Sequence, residues 1–181
     1  MLFVISGPTG SGKDSVINML LKEFKNSYKV PSTVTRQQRP GEEGYRYVTK
    51  QEFLQMVSND EFLEFVNVYG TDYYGTLKTD LKDAVESPIP VFRILDVDGY
   101  IKIKEMGIKC VSIFINVVSK DELARRIYLR GETKEDIKRR IARVDYELEK
   151  SKNYDYVLNG ETLQDNLESC IYIVNKHLGK V

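Results

Sequence analysis

Residues 7–14 read Gly-Pro-Thr-Gly-Ser-Gly-Lys-Asp, a pattern that can cradle phosphate. Gly7, Gly10 and Gly12 let the backbone approach phosphate oxygens with no side chain in the way. Thr9, Ser11 and Ser15 add hydroxyls and backbone N–H groups around the same point, and Lys13 supplies a point charge for the terminal phosphates. The flanks fit this reading. Leu2-Phe3-Val4-Ile5 is an apolar run suited to a buried strand, and Ile17, Leu20, Leu21 and Phe24 repeat at helical spacing over residues 15–24. Strand, glycine loop and helix in that order aim the N–H groups and the positive helix end at one site. The chemistry is nucleoside triphosphate binding.

The position after Lys13 usually carries a Ser or Thr hydroxyl that binds magnesium; here it is Asp14. A bare carboxylate about 4 Å from a phosphate would cost ~4 kcal/mol at an effective dielectric near 20. A bridging magnesium ion or the adjacent helix N-terminus reverses that sign. A second acidic feature, Asp96 and Asp98, ends the apolar run 90–95. Ligands of parallel sheets bind at the C-terminal ends of strands, so these carboxylates are expected near the loop, able to hold magnesium or its waters. The alternative is a solvated turn closed by Gly99.

The segment 32–47 is polar and rich in arginine. Arg36 and Arg39 are three apart and suit bidentate phosphate contacts, with Tyr45 and Tyr74 as uncharged hydroxyl donors. Glu64 lies in the alternating run 62–68, and Tyr73-Tyr74-Gly75-Thr76 follows. A carboxylate acceptor among hydroxyls can read a base bearing an N–H and an exocyclic amine, as guanine does and adenine does not.

Short apolar strands are expected at 2–5, 28–30, 90–95, 110–115 and 156–158, with a partly exposed strand at 62–68 and a turn at 72–75. Helices are expected at 15–24, 51–57, 79–86 (capped by Thr79), from the Ser119 cap to Leu129, at 134–152 and at 162–178. The charged run 134–152 presents Lys138, Arg139 and Arg143 as a solvated face. Buried strands alternating with helices imply an α/β fold whose parallel sheet is covered on both faces.

Lysine plus arginine and aspartate plus glutamate both total 27, giving zero formal net charge. That balance offers no field for nucleic acid or a membrane surface. No apolar run approaches the ~20 residues of a bilayer span. The first strand begins at residue 2, leaving no room for a signal peptide, so a cytoplasmic protein is expected. Cys110 and Cys170 fit no metal spacing and read as reduced structural thiols. His177, the only histidine, reads as a surface residue.

Together the loop, Ser-Thr-x-Thr-Arg-x-x-Arg-x-Gly-Glu from Ser32, Phe-x-Glu from Phe62, Tyr-Gly-Thr-x-Tyr-Tyr-Gly-Thr from Tyr69, Leu-Asp-Val-Asp from Leu95 and Arg130-Gly131 with a later arginine resemble guanylate kinases over nearly the whole chain. The resemblance implies a P-loop NTPase three-layer fold with a parallel core sheet (1–30, 82–120 and 153–181), an inserted mixed α/β GMP-binding subdomain (31–81) and a helical lid (121–152). It implies that ATP and Mg2+ are used to phosphorylate GMP or dGMP, by a monomer or homodimer. Residues matching Arg36, Arg39, Tyr45 and Tyr74 would hold the acceptor phosphate. Those matching Ser32, Glu64, Thr76, Asp96 and Asp98 would recognise guanine or complete its pocket. Arg130 and Arg140 match lid arginines over the ATP phosphates, and Asn159 matches a residue near the adenine.

Three positions depart from the family pattern: Asp14, a lid one residue shorter between Arg130 and Arg140, and Gly99-Tyr100 directly after Asp98. Two other functions remain open. Ribose 1,5-bisphosphate phosphokinases, a related group, also tend to carry Gly-Lys-Asp in the loop, as here at Gly12-Lys13-Asp14; Ser32, Glu64 and Thr76 argue against that reading. A non-catalytic guanylate-kinase-like module usually lacks the loop lysine that Lys13 retains.

Overall fold

The computed structural model describes residues 1–38, 44–68, 72–117, 119–129, 131 and 133–181. Its centre is a five-stranded, all-parallel sheet of β1 (Leu2–Ser6), β2 (Tyr28–Lys29), β7 (Val91–Ile94), β8 (Val111–Ile115) and β9 (Tyr156–Leu158), in the order β2-β7-β1-β8-β9. β1 is buried at every position because alternate side chains enter different cores. Phe3 and Ile5 pack with Ile17 and Leu20 of α1 (Lys13–Glu23) and with Cys170 and Val174 of α7 (Leu163–His177). Leu2 and Val4 face the other way, onto Leu81 of α3 (Lys78–Glu86) and Tyr100 and Ile103 of α4 (Val97–Glu105). The result is three layers, helix on sheet on helix.

A second, mixed sheet runs β4-β3-β6-β5, from β3 (Ser32–Val34), β4 (Tyr45–Tyr47), β5 (Phe62–Val68) and β6 (Asp72–Leu77). Its small core stacks Phe53 of α2 (Lys50–Ser58) on Phe62, with ring centroids 4.3 Å apart. Thr49 caps α2 through a capping box with Glu52. A third group, α5 (Lys120–Leu129) and α6 (Lys134–Lys150), packs Leu123 and Ile127 on Val144. Ser119 caps α5 by accepting from the Glu122 N–H, as the sequence predicts, and Thr162, at the predicted start of the closing helix, caps α7.

Several local expectations are corrected. Residues 72–75 are strand, because β6 is hydrogen-bonded on both sides, to β3 and β5. The polar segment holds two strands, β3 and β4, that edge pairing supports where apolar alternation is absent. Thr79 lies inside α3, whose N-cap is Leu77, with no side-chain cap. Residues 96–98 begin a helix, with Asp96 as its N-cap accepting from the Gly99 N–H at 2.8 Å. His177 is half-buried, its Nε2 3.1 Å from the Tyr156 hydroxyl and its ring edge-on to Phe3.

Candidate active site

The phosphate loop leaves the C-terminal end of the central strand β1 and enters α1 through Gly12, whose left-handed backbone offers no side-chain cap. The first-turn N–H groups of α1 are therefore open to an anion. Gly7 has φ +143°, and a Cβ there would lie 2.2 Å from the Ile115 carbonyl oxygen of β8. The loop passes that close to the neighbouring strand, which makes glycine a requirement. Lys13 reaches back over the loop, donating to the Gly7 and Pro8 carbonyls at 2.6 and 2.8 Å. That contact stores the ammonium within the loop it serves.

On one flank of the loop, a cavity of about 230 Å³ is lined by Gly10, Ser11, Gly12, Ser15, Asn116, Arg126 and the turn before α7. Asn159, at the end of β9, accepts from Asn116 Nδ2 at 2.8 Å. Arg126 donates to Gly10 O at 3.4 Å while Glu122 holds its Nε. Glu122 lies well below the ordinary carboxylate range, at about 2, because it accepts from Arg125 and Arg126. Asn116 and Arg126 went unread in the sequence; Asn116 could have been found as the polar residue ending core strand β8.

On the other flank, a cavity of about 430 Å³ is lined by Thr9, Asp96, Asn67 of β5 and Arg139, Arg140, Arg143 and Glu147 of α6. Arg140 of α6 donates to the Thr9 hydroxyl at 3.1 Å, so it touches the phosphate loop. Arg143 stays exposed, as the charged run predicts, yet it is not without partners. It binds Asp98 at 2.5 Å, Asp96 at 3.2 Å and Glu147 at 3.4 Å. Asp98 also accepts from the Tyr146 hydroxyl at 2.6 Å. Burial raises the Glu147 carboxyl, opposed by Lys13 and Arg143. Asp96 and Asp98 are thus tied to α6, and no cluster of three metal-ligating side chains occurs among the described residues.

The tyrosines of the second sheet converge on Arg36. Its guanidinium lies over the rings of Tyr45, Tyr47 and Tyr74 at 4.9, 5.8 and 5.9 Å, and its Nε donates to the Tyr74 hydroxyl at 2.9 Å. Tyr47 extends the set read from the sequence. Deeper, Glu64 accepts from the Thr76 hydroxyl at 2.5 Å. Thr76 is fully buried, so its hydroxyl positions Glu64 rather than meeting solvent. Ser32 and Thr76 both accept from Arg93, a buried residue on β7 that sequence reasoning passed over because it sits inside an apolar run. Arg39 and Arg130 lie outside the described residues.

Asp14 stands in the first turn of α1 with its side chain 71% exposed, 3.6 Å from Lys29 Nζ. Lys29 in turn lies 5.5 Å from the Tyr45 ring centroid. An accessible carboxylate beside a phosphate loop is a hard oxygen donor, and that chemistry fits a divalent cation such as magnesium. No described helix is long and apolar enough to cross a membrane.

The sequence profile of the family described as guanylate kinase matches residues 1–177. The guanylate kinase of Thermotoga maritima is 36% identical in an alignment covering 99% of this chain and 88% of its own length. That of Prochlorococcus marinus is 34% identical over 96% of both chains. The crystal structure of guanylate kinase from Anaplasma phagocytophilum is similar in fold, with a TM-score of 0.75 at 30% identity, covering 98% of this chain and 86% of that one. With the phosphate loop, the Arg36 tyrosine cluster and the Glu64 pocket arranged as described, the chain belongs to the guanylate kinase family.

Proposed function

We propose that this protein transfers the γ-phosphoryl group of ATP to GMP, giving ADP and GDP. The observation that carries this reading is the nearness of a phosphate loop to a second, arginine- and tyrosine-lined site. Lys29 links them, 3.6 Å from Asp14 at the end of the phosphate loop and 5.5 Å from the Tyr45 ring on which Arg36 stacks, with Glu64 and Thr76 on the same second sheet. The acceptor phosphate is itself nucleophilic, so no general base or covalent intermediate is required. Catalysis is positioning plus neutralisation of the charge that spreads over the transferred group.

ATP binds along the loop of Gly7, Thr9, Gly10, Ser11, Gly12, Lys13, Asp14 and Ser15, with its base on the Asn116–Asn159 side. Arg36, Arg39, Tyr45 and Tyr74 hold the acceptor phosphate, and Ser32 and Glu64 read guanine. Lys13, Arg36, Arg39, Arg130 and Arg140 supply the compensating charge. Asp96 and Asp98 brace α6 through Arg143, and Asp96 lines the cavity beside Thr9 of the loop. Asp14 and Ser15 would hold magnesium, which when bound neutralises the ATP phosphates and polarises the leaving group. The residues 121–152 act as a lid over residues 31–81 and the core, excluding water so that ATP is not hydrolysed. A cytoplasmic location, where ATP and GMP are both plentiful, belongs to the same reading.

A coupled ADP-release assay with GMP, dGMP, AMP and ribose 1,5-bisphosphate tests the reading. Turnover with GMP and little with AMP is expected. Phosphorylation of the sugar and of no nucleotide would assign the chain instead to the sugar-phosphate kinase that Asp14 allows. Absence of both ATP and GMP binding by calorimetry at millimolar concentration would make it a binding module.

A further inference from the structure

Arg93 is the least expected side chain in the core. It is 4% exposed, on a strand between Phe92 and Ile94, and burial pulls its guanidinium down from the ordinary value against the opposing effect of Glu64 and Asp80. Its Nη1 donates to Val30 O at 3.2 Å and to Ser32 Oγ at 2.7 Å, and its Nη2 donates to Thr76 Oγ1. Glu64 Oε1 lies 3.9 Å from Nη2. One cation on the core sheet therefore contacts two residues of the second sheet and faces a third, and all three belong to the acceptor-base pocket.

Hydrogen-bond chemistry gives this arrangement a direction. A guanidinium has donors and no acceptor, so each hydroxyl it touches must accept and keeps its own hydrogen for another partner. Thr76 gives its hydrogen to Glu64 Oε1. Ser32 gives its hydrogen to no acceptor among the described residues. A carboxylate only accepts, and Glu64 Oε2 has no donor among the described residues. The pocket is left with one donor, Ser32, and one acceptor, Glu64 Oε2. That pair complements a carbonyl next to a ring N–H, the 6-oxo edge of guanine. Adenine presents the opposite order, an amine next to a bare ring nitrogen.

We propose that Arg93 is a positioning residue that sets the hydrogen-bond polarity of the acceptor pocket, so that the pocket selects 6-oxo purine monophosphates. The inference rests on the assignment of Ser32 and Glu64 to the base of the acceptor. Arg93 does not touch the substrate; it orients the Ser32 hydroxyl and, through Thr76, the Glu64 carboxylate. Without it, Ser32 is free to rotate and to accept from an amine as readily as it donates to a carbonyl.

The test compares wild type with Arg93→Met, which keeps the bulk and removes every donor, using kcat/KM for GMP and AMP. The GMP-over-AMP ratio should fall about tenfold or more in Arg93→Met, with KM for ATP changed less than about twofold. Ser32→Ala should cost GMP turnover about tenfold in the wild-type background and much less in the Arg93→Met background, because the two act through one hydrogen bond. A purely structural arginine would lower both substrates equally and leave the ratio unchanged, which overturns the proposal. If Arg93→Met does not fold, Ser32→Ala in the wild-type background is assayed with GMP and 2-aminopurine riboside monophosphate, which has no 6-oxo group. Loss confined to GMP supports the polarity argument, and equal loss overturns it. A wild-type protein that phosphorylates no purine monophosphate overturns the acceptor-site reading itself, and this inference with it. GMP turnover with an unaltered ratio in Arg93→Met overturns the role of Arg93 alone.

Discussion

Arg143 of α6 donates to the Asp98 carboxylate at 2.5 Å and to Asp96 at 3.2 Å, so α6 is pinned to the first turn of α4. These side chains are close to half exposed, which screens the interaction to about 1 kcal/mol. Arg143→Ala should lower the melting temperature by about 2–4 °C. It also leaves two carboxylates uncompensated beside the phosphate cleft, and kcat/KM for GMP should fall about fivefold, the equivalent of that energy. Calorimetry and steady-state kinetics check both; a melting shift with unchanged kinetics would restrict Arg143 to a structural brace.

Asp14 is accessible and held only loosely by Lys29, at 3.6 Å. Asp14→Ser replaces a charged oxygen donor by a neutral one. The magnesium concentration for half-maximal rate should rise about 3- to 10-fold, because divalent affinity follows ligand charge. Binding of ADP without magnesium should tighten, since a negative charge near the phosphates is gone. Titration calorimetry of ADP with and without the ion separates the two effects. A faster magnesium-dependent rate in Asp14→Ser would instead mark the carboxylate as a compromise.

Glu64→Gln keeps the shape of the pocket but converts one acceptor oxygen into a donor amide. A guanine donor then faces another donor or loses a charged acceptor. The loss in kcat/KM for GMP should be about 10- to 100-fold, with KM for ATP within about twofold. Equal loss for both substrates would contradict a base-reading role.

Burial raises the Cys110 thiol to about 11 and the Cys170 thiol to about 12, from an ordinary value of 9.0. A raised folded pKa favours the protonated form, so this contribution to stability is complete below about pH 9 and is lost as pH rises towards 11 and above. The urea midpoint should drop over that window, and the drop should be smaller in a Cys110→Ala, Cys170→Ala double variant. At pH 8 both thiols should label slowly when folded and rapidly in urea. Equal labelling rates in the two states would show the thiols to be accessible.

Much of the fold was legible because it rests on local rules. Leu2-Phe3-Val4-Ile5 announces a buried strand, and the caps Ser119 and Thr162 mark helix starts by side-chain chemistry acting within three residues. The errors occur where distant partners decide. Tyr73-Tyr74-Gly75 looks like a turn in isolation, yet two neighbouring strands satisfy its backbone groups. Asp96-Val97-Asp98-Gly99 reads as a turn until Asp96 is seen to cap a helix whose Tyr100 and Ile103 are buried by the central sheet. His177 looked like a surface residue among lysines and is half-covered by Tyr156 and Phe3.

By itself the sequence determined the chemistry that consecutive residues can perform. The glycine loop with Lys13, the run containing Arg36 and the carboxylate of Glu64 were readable because type and spacing suffice. Tertiary structure alone decided which charges meet. It brought the exposed Arg143 to Asp96 and Asp98, placed Lys29 beside Asp14, and set Arg93 beneath Ser32 and Thr76. The physical reason is range. Backbone conformation and capping are settled within a few residues, whereas a buried cation gains its partners only when strands 17 to 61 positions away in sequence fold against it.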